Sequence, residues 1–316
     1  IFLILSGDQL YRMDFRDIVQ RHVESGADVT IAGTPVERSL VSDFGLMRLN
    51  GEGWIEEFVE KPTDAGVIDN LVLSGSLREA IENPGDRQFC LANMGIYCFT
   101  AKTLRKALDN DKDDFGKEII PGMLKQGKLL SYVYNGYWED IGTIKAFFDA
   151  NLRLTDDVPP FNFFDSMNPV FTRARYLAAS KINACKMSRV ILSDGCILSN
   201  TEFSHCVIGV RSVVRRGTSV RDSILMGADL FETNEDRQEN RSLGRPDVGI
   251  GENCEIEYAI IDKNVRIGNN VRLSPRGKPD MWEAKGIMVR DGVLIVTKNS
   301  IIPDGTVVWD EAESKA

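Results

Sequence analysis

An aliphatic residue recurs about every six positions through the second half of the chain, and this short period leaves few folds open to it. The recurring residues are Ile191, Ile197, Phe203, Ile208, Val214, Val220, Ile250, Ile256, Ile261, Ile267, Leu273, Ile295, Ile301 and Val307. Small or turn-forming residues separate them, as in SDGC, GENC and PDG. Each hexad supplies one short strand and one turn, and three hexads close a triangular coil. We therefore predict a left-handed parallel β-helix over residues 182–316, with the recurring side chains inside the prism.

Two further segments stand apart from these repeats. The segment 156–181 contains Pro159, Pro160 and Pro169, and we predict a linker there. The segment 228–247, ADLFETNEDRQENRSLGRPD, is highly polar and breaks the six-residue register. We expect it to leave the β-helix as a loop between coils.

Residues 1–155 alternate helix-like and strand-like segments instead. The stretch MDFRDIVQRHVESG has apolar residues at helical spacing and ends on Gly26 as a C-cap, whereas ADVTIAGTPV and LANMGIYCFT read as strands. A hairpin is predicted at Asn50-Gly51, and AKTLRKALDN predicts a further helix. This alternation favours an open, Rossmann-like α/β sheet with helices on its faces.

The first residues of the chain form a continuous apolar run, Ile1–Leu5, followed by Ser6-Gly7-Asp8. Such a run is typical of a buried, central parallel strand that carries a carboxylate at its end. Because central strands do not normally begin a domain, we expect that a further segment precedes Ile1.

Composition excludes several classes of protein. The formal net charge is −9, from 38 basic and 47 acidic side chains, and no basic stretch favours general nucleic-acid binding. No apolar run approaches the roughly 18–20 residues that a membrane span needs. The six cysteines show no CxxC spacing and are accompanied by two histidines, which favours reduced thiols in a cytosolic protein over a zinc site.

Charged residues stand at the ends of several predicted strands of the first half. Asp8 ends the first strand, Glu60 and Lys61 lie in FVEKP, Asp114 lies in DDFGKEIIP, and Asp140 lies in GYWEDIGT. Taken singly, each is typical of a solvated strand end. Ligands of open α/β sheets nevertheless bind at such strand ends, so the group is a candidate site.

An α/β domain followed by a β-helix suggests either an acyltransferase or a nucleotidyltransferase. Hexapeptide acyltransferases commonly use a histidine of the coil as general base, and the predicted β-helix has one histidine, His205. A lone histidine is more often structural, which directs the search for chemistry to the first half.

Taken together and in this order, the motifs resemble the glucose-1-phosphate adenylyltransferases (ADP-glucose pyrophosphorylases) of the sugar-nucleotidyltransferase family. The resemblance covers essentially the whole chain and rests on GDQLYRMD, FGLM, FVEKP, MGIY, DFGKEIIP, GYWEDIGTI, IGVRS, MGAD and AIIDKNVRIG. The last three favour the ADP-glucose branch over relatives that use UDP-, dTDP- or GDP-sugars. In the family, a Gly-rich loop that cradles the nucleotide triphosphate precedes the position of Asp8. We therefore expect this chain to be an N-terminally truncated member that is inactive, or nearly so, on its own.

The resemblance implies a reaction between ATP and glucose 1-phosphate that yields ADP-glucose and pyrophosphate for glycogen or starch synthesis. It implies that Asp8 and Asp140 hold Mg²⁺, a cation that prefers oxygen ligands. Lys61 would contact the sugar phosphate as a compact point charge.

The resemblance also assigns the sugar contacts. Glu60 and Asp114 would accept hydrogen bonds from sugar hydroxyls, and the backbone at Gly95 would pass close to the sugar. Asn93 stands where the family usually has serine, a departure that bears on sugar affinity and fine specificity.

Regulation and assembly are implied in the same way. Family members are typically tetramers controlled by anionic metabolites bound between the catalytic domain and the β-helix. Candidate effector contacts are Arg173, Arg175, Arg276 and Lys298. The expected location is the cytoplasm, or a plastid in a photosynthetic eukaryote.

Three alternatives remain open at this stage. The chain could serve another sugar 1-phosphate or another base, because residues that read the base are expected upstream. It could be a non-catalytic regulatory subunit, although retained Asp8, Lys61 and Asp140 favour catalysis. The acyltransferase alternative predicts that the β-helix binds acyl-CoA.

Overall fold

The chain divides into two compact units, Ile1–Asp140 and Ile141–Ala316, in a computed structural model that describes residues 1–81 and 84–309. The division falls before the predicted boundary near residue 155. The helix Ile144–Arg153 lies in the second unit because Phe148 and Leu152 pack against β-helix residues such as Ile224 and Ile260.

The first unit is built on a six-stranded mixed sheet and a short ribbon. Its strands are β1 (Phe2–Leu5), β2 (Gln9–Tyr11), β3 (Val29–Glu37), β4 (Gly45–Leu49), β5 (Ile55–Glu60), β6 (Phe89–Phe99), β7 (Leu129–Val133) and β8 (Trp138–Asp140). The sheet has the order β5-β4-β6-β3-β7, with β1 beside β6, and β2 pairs with β8. Strands β3 and β7 run parallel, whereas the other pairings of this unit are antiparallel. The predicted α/β class is confirmed.

Helices and turns connect these strands. They are α1 (Phe15–Ser25), a 3₁₀ turn (Arg38–Asp43), α2 (Ala65–Asp69), α3 (Gly75–Glu79), α4 (Ala101–Ala107), a π turn (Phe115–Ile119) and α5 (Ile120–Leu124). Helix α1 begins where Asp14 accepts a hydrogen bond from the Arg16 N–H, and it ends at the left-handed Gly26, as predicted. Its buried residues Ile18 and His22 face the sheet.

The predicted hairpin is β4–β5, but its connection is longer than a two-residue turn. The side chain of Asn50 accepts hydrogen bonds from the N–H groups of Glu52 and Trp54, and these bonds close the loop. An asparagine side chain that binds backbone donors in this way holds a turn without the Asn-Gly pair at its centre.

The predicted parallel direction of the first strand is wrong. Strand β1 runs antiparallel to β6, and among the described residues it pairs with no other strand. Phe2 and Leu5 are exposed, whereas Leu3 and Ile4 are half-buried and pack into apolar clusters. A continuous apolar run does not reveal strand direction, because it reports only that both faces meet apolar neighbours.

The second unit is a parallel β-helix preceded by α6 (Ile144–Arg153). Its strands are β9 (Lys181–Asn183), β10 (Lys186–Leu192), β11 (Ile197–Ser199), β12 (Glu202–Ile208), β13 (Val213–Val214), β14 (Ser219–Leu225), β15 (Gly249–Ile250), β16 (Glu255–Glu257), β17 (Ala259–Ile261), β18 (Arg266–Ile267), β19 (Arg272–Leu273), β20 (Glu283–Ala284), β21 (Ile287–Arg290), β22 (Val293–Val296), β23 (Ile301–Ile302) and β24 (Val307–Val308). The rungs pair in parallel from coil to coil, as in β10–β12–β14, and only the β20–β21–β22 hairpin runs antiparallel within the described strands.

The interior of the prism confirms part of the predicted repeat. Nine predicted residues are buried in its core: Phe203, Ile208, Val214, Val220, Ile250, Ile256, Ile261, Ile267 and Leu273. Five predictions are wrong by one position, because the interior side chains are Leu192, Leu198, Val296, Ile302 and Val308 instead of Ile191, Ile197, Ile295, Ile301 and Val307. Each error falls on a pair of adjacent aliphatic residues. A slip of one residue in a strand moves every side chain to the opposite face, and a six-residue period cannot choose between the two members of such a pair.

Left-handed backbone turns form the corners of the prism. Asn200, Gly217 and Asn253 occupy one corner of successive coils, each with positive φ. Two reasons require glycine at position 217. Its φ is positive, and a Cβ there would lie 2.2 Å from Oδ1 of Asn253. Asparagine and glycine tolerate this conformation better than other residues, which explains the turn residues between the hexads.

The polar segment 228–247 leaves the coils as predicted, but it contains a helix, α7 (Asn234–Ser242). Thr233 and Asp236 form a capping box at its start. The buried side chain of Asn240 donates to Glu232 and Asp247 and thereby fastens the helix to its own connections. The helix is therefore held by polar contacts, which an apolar period does not reveal.

No helix among the described residues is long and apolar enough to cross a bilayer. All six cysteines are free thiols, and five of them are buried.

Candidate active site

A cleft of about 340 Å³ opens at the strand ends of the first unit. It is lined by residues from the end of β1, the 43–45 segment, the end of β5, the middle of β6, the start of the π turn and the end of β8. Six of the predicted site residues line this cleft: Glu60, Lys61, Asn93, Gly95, Asp114 and Asp140. The residues are far apart in sequence, so the fold itself brings them together.

Asp8 stands in the chain between Ser6 and Gln9, which both line the same cleft. Its Oδ1 accepts a hydrogen bond of 2.7 Å from the hydroxyl of Ser6, which lines the cleft. The next residue, Gln9, pairs with Asp140 across the β2–β8 ribbon. Asp8 therefore adjoins, along the chain, the residue that pairs with Asp140.

Carboxylates are the kind of donors that Mg²⁺ takes, with further oxygens supplied by phosphates and water. No group of three or more candidate metal ligands is found in residues 1–81 and 84–309. The donor chemistry of the two aspartates fits a magnesium ion shared with phosphate oxygens, the role that the family resemblance implies for them.

Lys61 stands at the end of β5 in a strained backbone conformation. Its φ is 44°, in the left-handed region, and its N–H donates to the carbonyl of Phe44 over 3.1 Å. A residue other than glycine in this region costs of order 1 kcal/mol. Lys61 lines the cleft, and the other charged residues among the described lining, Asp43, Glu60, Asp114 and Asp140, are acidic.

The carboxylate of Glu60 is enclosed by two glycines. A Cβ at Gly45 would lie 2.5 Å from Oε2 of Glu60, and a Cβ at Gly116 would lie 2.9 Å from the same atom. Burial, and next the negative charge of Asp114, raise the pKa of Glu60 above its ordinary value, while Lys61 opposes the shift. The cleft thus holds two acidic groups of like charge at close quarters.

Asp114 both lines the cleft and caps the π turn. Its Oδ1 accepts a 2.8 Å hydrogen bond from the N–H of Lys117, and its Oδ2 lies 4.0 Å from Nζ of the same lysine. A π turn is uncommon and often marks a functional site. Here it brings Phe115 and Gly116 to the wall of the cleft.

Asn93, the residue that departs from the family pattern, has an internal role. Its Nδ2 donates to the hydroxyl of Tyr97 over 2.8 Å, and its Oδ1 accepts from the N–H of Gly95 over 3.0 Å. Gly95 has a φ of 67°, and a Cβ there would lie 3.0 Å from the Cβ of Ser6. Asn93 therefore fixes the backbone turn that brings Gly95 to the cleft.

Sequence reasoning missed several aromatic and amide residues of the cleft. Tyr97 stacks on Phe115 with ring centroids 5.6 Å apart, and burial raises the pKa of Tyr97 to about 12. Gln9 accepts a hydrogen bond from the indole N–H of Trp138, whose ring packs edge-on against Phe44. The sequence did contain a signal for Tyr97. In MGIY it follows Gly95 by two positions, and residues two apart lie on the same face of a strand.

The predicted effector residues lie in the second unit, and the structure brings three of the four toward one place. Arg173 and Arg175 line a cleft of about 550 Å³ together with Asp229. Lys298 approaches Asp229, with Nζ 3.7 Å from Oδ2. Arg276 instead forms a 2.6 Å ion pair with Glu257, and its guanidinium lies over the ring of Trp309.

Other basic residues join this second cleft, which sequence reasoning did not select. Arg211 and Lys263 line it, and Nζ of Lys263 lies 3.0 Å from Oδ1 of Asp229. Hydrogen bonds from Asn264, then from Lys263, lower the pKa of Asp229 to about 2. We refer to this site as the basic cleft.

His205 does not stand alone on the β-helix. Its Nδ1 lies 2.7 Å from Oδ1 of Asp222, the residue at the same corner of the next coil. The pair links two rungs, in keeping with the structural role expected for a lone histidine.

Comparison with known families gives one match for each half of the chain. Residues 1–157 match the family model described as nucleotidyl transferase. Residues 175–307 match the model described as the GLGC left-handed parallel beta-helix domain. The second match confirms the predicted handedness of the coils.

Proposed function

Because this chain carries a nucleotidyl transferase domain followed by a GLGC left-handed parallel β-helix domain, we propose that it acts in the synthesis of ADP-glucose from ATP and glucose 1-phosphate. The observation that carries the proposal is the convergence of Glu60, Lys61, Asp114 and Asp140 on one cleft. A single ammonium among carboxylates suits a ligand with one phosphate and several hydroxyls.

In the proposed reaction, a phosphate oxygen of glucose 1-phosphate attacks the α-phosphorus of ATP. The bond from the α-phosphorus to the bridging oxygen breaks, and pyrophosphate leaves with the electron pair. Both reactants are anions, so positioning and charge neutralisation dominate the barrier. No side chain forms a covalent intermediate in this scheme.

Each residue of the cleft has a role in the proposal. Lys61 holds the sugar phosphate, and the carboxylates of Glu60 and Asp114 accept hydrogen bonds from sugar hydroxyls. Asn93 positions the Gly95 backbone against the sugar. Asp8 and Asp140 are the residues that would hold Mg²⁺, which supplies positive charge to the phosphates when bound.

Calorimetric titration of the whole chain with glucose 1-phosphate tests the substrate half of the proposal. Lys61→Gln removes the one cation among the described residues that line the cleft. We expect it to weaken binding by about 30-fold, because a charge-assisted hydrogen bond contributes roughly 2 kcal/mol. The matched control is Lys125→Gln, an exposed lysine that does not line the cleft. Equal affinities for the native chain and the Lys61 variant would overturn the proposal.

Competition decides the finer specificity. Galactose 1-phosphate and mannose 1-phosphate test whether Glu60 and Asp114 select glucose. Binding of ADP-glucose, compared with UDP-, dTDP- and GDP-glucose, tests the assignment of the base. Preference for a nucleotide sugar other than ADP-glucose would move the proposal to another sugar-1-phosphate nucleotidyltransferase.

We also propose that the basic cleft of the second unit binds an anionic metabolite. Support comes from Arg173, Arg175 and Arg211, which line a cleft whose carboxylate, Asp229, is already bound by Lys263. Arg276 has no part in this site. Double substitution of Arg173 and Arg175 by glutamine should weaken the binding of 3-carbon or sugar phosphates, whereas Arg276→Gln should leave it unchanged.

A further inference from the structure

A third cleft, of about 340 Å³, lies in the first unit and has no role in the proposed function. Helix α4, the segment after it, the end of the π turn and α5 form its walls. Three lysines line it: Lys102, Lys106 and Lys112. We call this site the lysine cleft.

The three lysines line one cleft, and their ammonium groups are not paired with its carboxylates. Lys102 and Lys106 lie four residues apart in α4 and therefore share one face of the helix. Lys112 follows a turn in which Asn110 accepts a hydrogen bond from the N–H of Lys112 over 2.9 Å. Within residues 1–81 and 84–309, none of the three ammonium groups forms an ion pair.

The two carboxylates of the lysine cleft are already bound by other groups. Asp28 accepts hydrogen bonds from the N–H of Lys128, at 2.9 Å, and from the hydroxyl of Thr103, at 3.2 Å. Glu118 accepts one from the N–H of Asp113 at 3.3 Å. These carboxylates hold the walls of the cleft together and leave the ammonium groups to solvent or to a ligand.

The lysine cleft has an apolar floor and is bordered by a glycine. Ala107, Ile119 and Met123 contribute to its lining. Gly122 lies inside α5 with an ordinary backbone conformation, where alanine would be more stable by about 1 kcal/mol. A Cβ at Gly122 would lie 3.7 Å from Nζ of Lys112. This is an ordinary van der Waals distance, so alanine fits at position 122, whereas a longer side chain would extend toward Lys112.

We propose that the lysine cleft is a second anion site, which binds a phosphate monoester with an apolar body. The phosphoryl group contacts the three lysines, and the apolar body lies on Ala107, Ile119 and Met123. Lysine suits such a ligand because it binds phosphate as a point charge with three donors.

The π turn connects this site to the candidate active site. Phe115 and Gly116, at its start, line the candidate active site, whereas Glu118 and Ile119, at its end, line the lysine cleft. A ligand in the lysine cleft therefore contacts the turn that Asp114 caps. This link, which rests on the proposed function, predicts that the second anion changes the affinity for glucose 1-phosphate.

Titration with phenyl phosphate tests the proposal, with inorganic phosphate and phenol as the two halves of the probe. The whole chain carries Lys61→Gln, so that the candidate active site does not contribute. Phenyl phosphate should bind about tenfold more tightly than inorganic phosphate because of the apolar floor. Triple substitution of Lys102, Lys106 and Lys112 by glutamine should weaken it at least tenfold, whereas Lys125→Gln should have little effect.

A second variant blocks the lysine cleft without a change of charge. Gly122→Leu should abolish phenyl phosphate binding while the melting temperature is retained, and Gly122→Ala serves as its folded control. Unchanged affinity in the triple variant, or equal losses in the triple variant and the Lys125 control, would overturn the proposal.

The link between the sites has its own readout. In the chain with native Lys61, saturating phenyl phosphate should shift the affinity for glucose 1-phosphate several-fold, and Gly122→Leu should remove the shift. Phenyl phosphate binding without any glucose 1-phosphate binding would refute the proposed function and leave the second anion site standing.

Discussion

The β-helix surface and the candidate active site of the first unit differ in how they arrange charge. On the β-helix, side chains on successive rungs form opposite-charge pairs, such as Lys186 with Glu202 and Arg272 with Glu255. In the candidate active site, Glu60 and Asp114 stand close enough for the charge of one to raise the pKa of the other. Pairs on the β-helix serve the fold, whereas like charges held together oppose it. Groups that a fold holds against their own repulsion are candidates for function.

The same contrast holds for packing. In the prism interior, each hexad places one apolar side chain inside. These side chains contact partners at equivalent positions of the next coil. The cleft is assembled once, from segments between β1 and β8, and it includes a strained lysine and glycines that leave room for a carboxylate. We therefore expect substitutions in the prism to cost stability and substitutions in the cleft to cost binding.

The largest effect on stability should come from the prism interior. Leu198 is fully buried, whereas its neighbour Ile197 is 38% exposed. Leu198→Ala should lower the free energy of unfolding by about 3 kcal/mol, and Ile197→Ala by less than about 1 kcal/mol. Urea unfolding of the two variants measures the difference. A larger loss for Ile197→Ala would contradict the assigned register.

An intermediate effect is expected where a glycine meets the site carboxylate. A Cβ at Gly45 would overlap both Glu60 and Phe58. Gly45→Ala should weaken glucose 1-phosphate binding by about tenfold and cost roughly 1–3 kcal/mol of stability. Gly51→Ala is the matched control, since nothing lies within 4 Å of a Cβ there. Titration and melting of both variants show whether Glu60 is held as described.

A smaller effect on stability, with a defined pH dependence, is expected at Glu60. Because folding raises the pKa of this carboxyl, the native state binds its proton more tightly than the unfolded chain does. The carboxyl group therefore stabilises the native state fully at pH values below the ordinary pKa of glutamate. This stabilisation is lost as the pH rises through the raised pKa of the native state. Glu60→Gln should therefore be more stable than the native chain at pH 7, with no gain below about pH 4. Urea unfolding at both pH values checks the sign, and a destabilised variant at pH 7 would contradict it.

The smallest effect on stability is expected on the β-helix surface, and its sign at pH 7 is opposite to the effect expected at Glu60. The hydrogen bond from Lys186 lowers the pKa of the exposed Glu202. A carboxyl whose pKa is lowered on folding stabilises the native state at pH values above its ordinary pKa. This stabilisation is lost as the pH falls through the lowered pKa of the native state. Glu202→Gln should therefore be slightly less stable than the native chain at pH 7 and equal to it in acid. The same urea titrations make this comparison, and a stabilised Glu202 variant at pH 7 would remove the contrast between the two units.

The contrast also explains how much could be predicted from the sequence. The β-helix follows from its period because each hexad repeats the same local rule, and the errors fell on adjacent aliphatic pairs such as Ile197 and Leu198. In the first unit, strand-end motifs pointed to Lys61, Asp114 and Asp140, which the fold brings to one cleft. The roles of Tyr97 and Gly116 depend on contacts across the sheet and the π turn, which no local pattern encodes. For the same reason, the apolar run of β1 did not reveal its antiparallel direction.

The most direct test is a crystal structure of the whole chain with glucose 1-phosphate. We predict that the phosphate lies within hydrogen-bonding distance of Nζ of Lys61, and that sugar hydroxyls lie within reach of Glu60 and Asp114. A sugar phosphate seated instead in the basic cleft or the lysine cleft, with the candidate active site empty, would contradict the central claim.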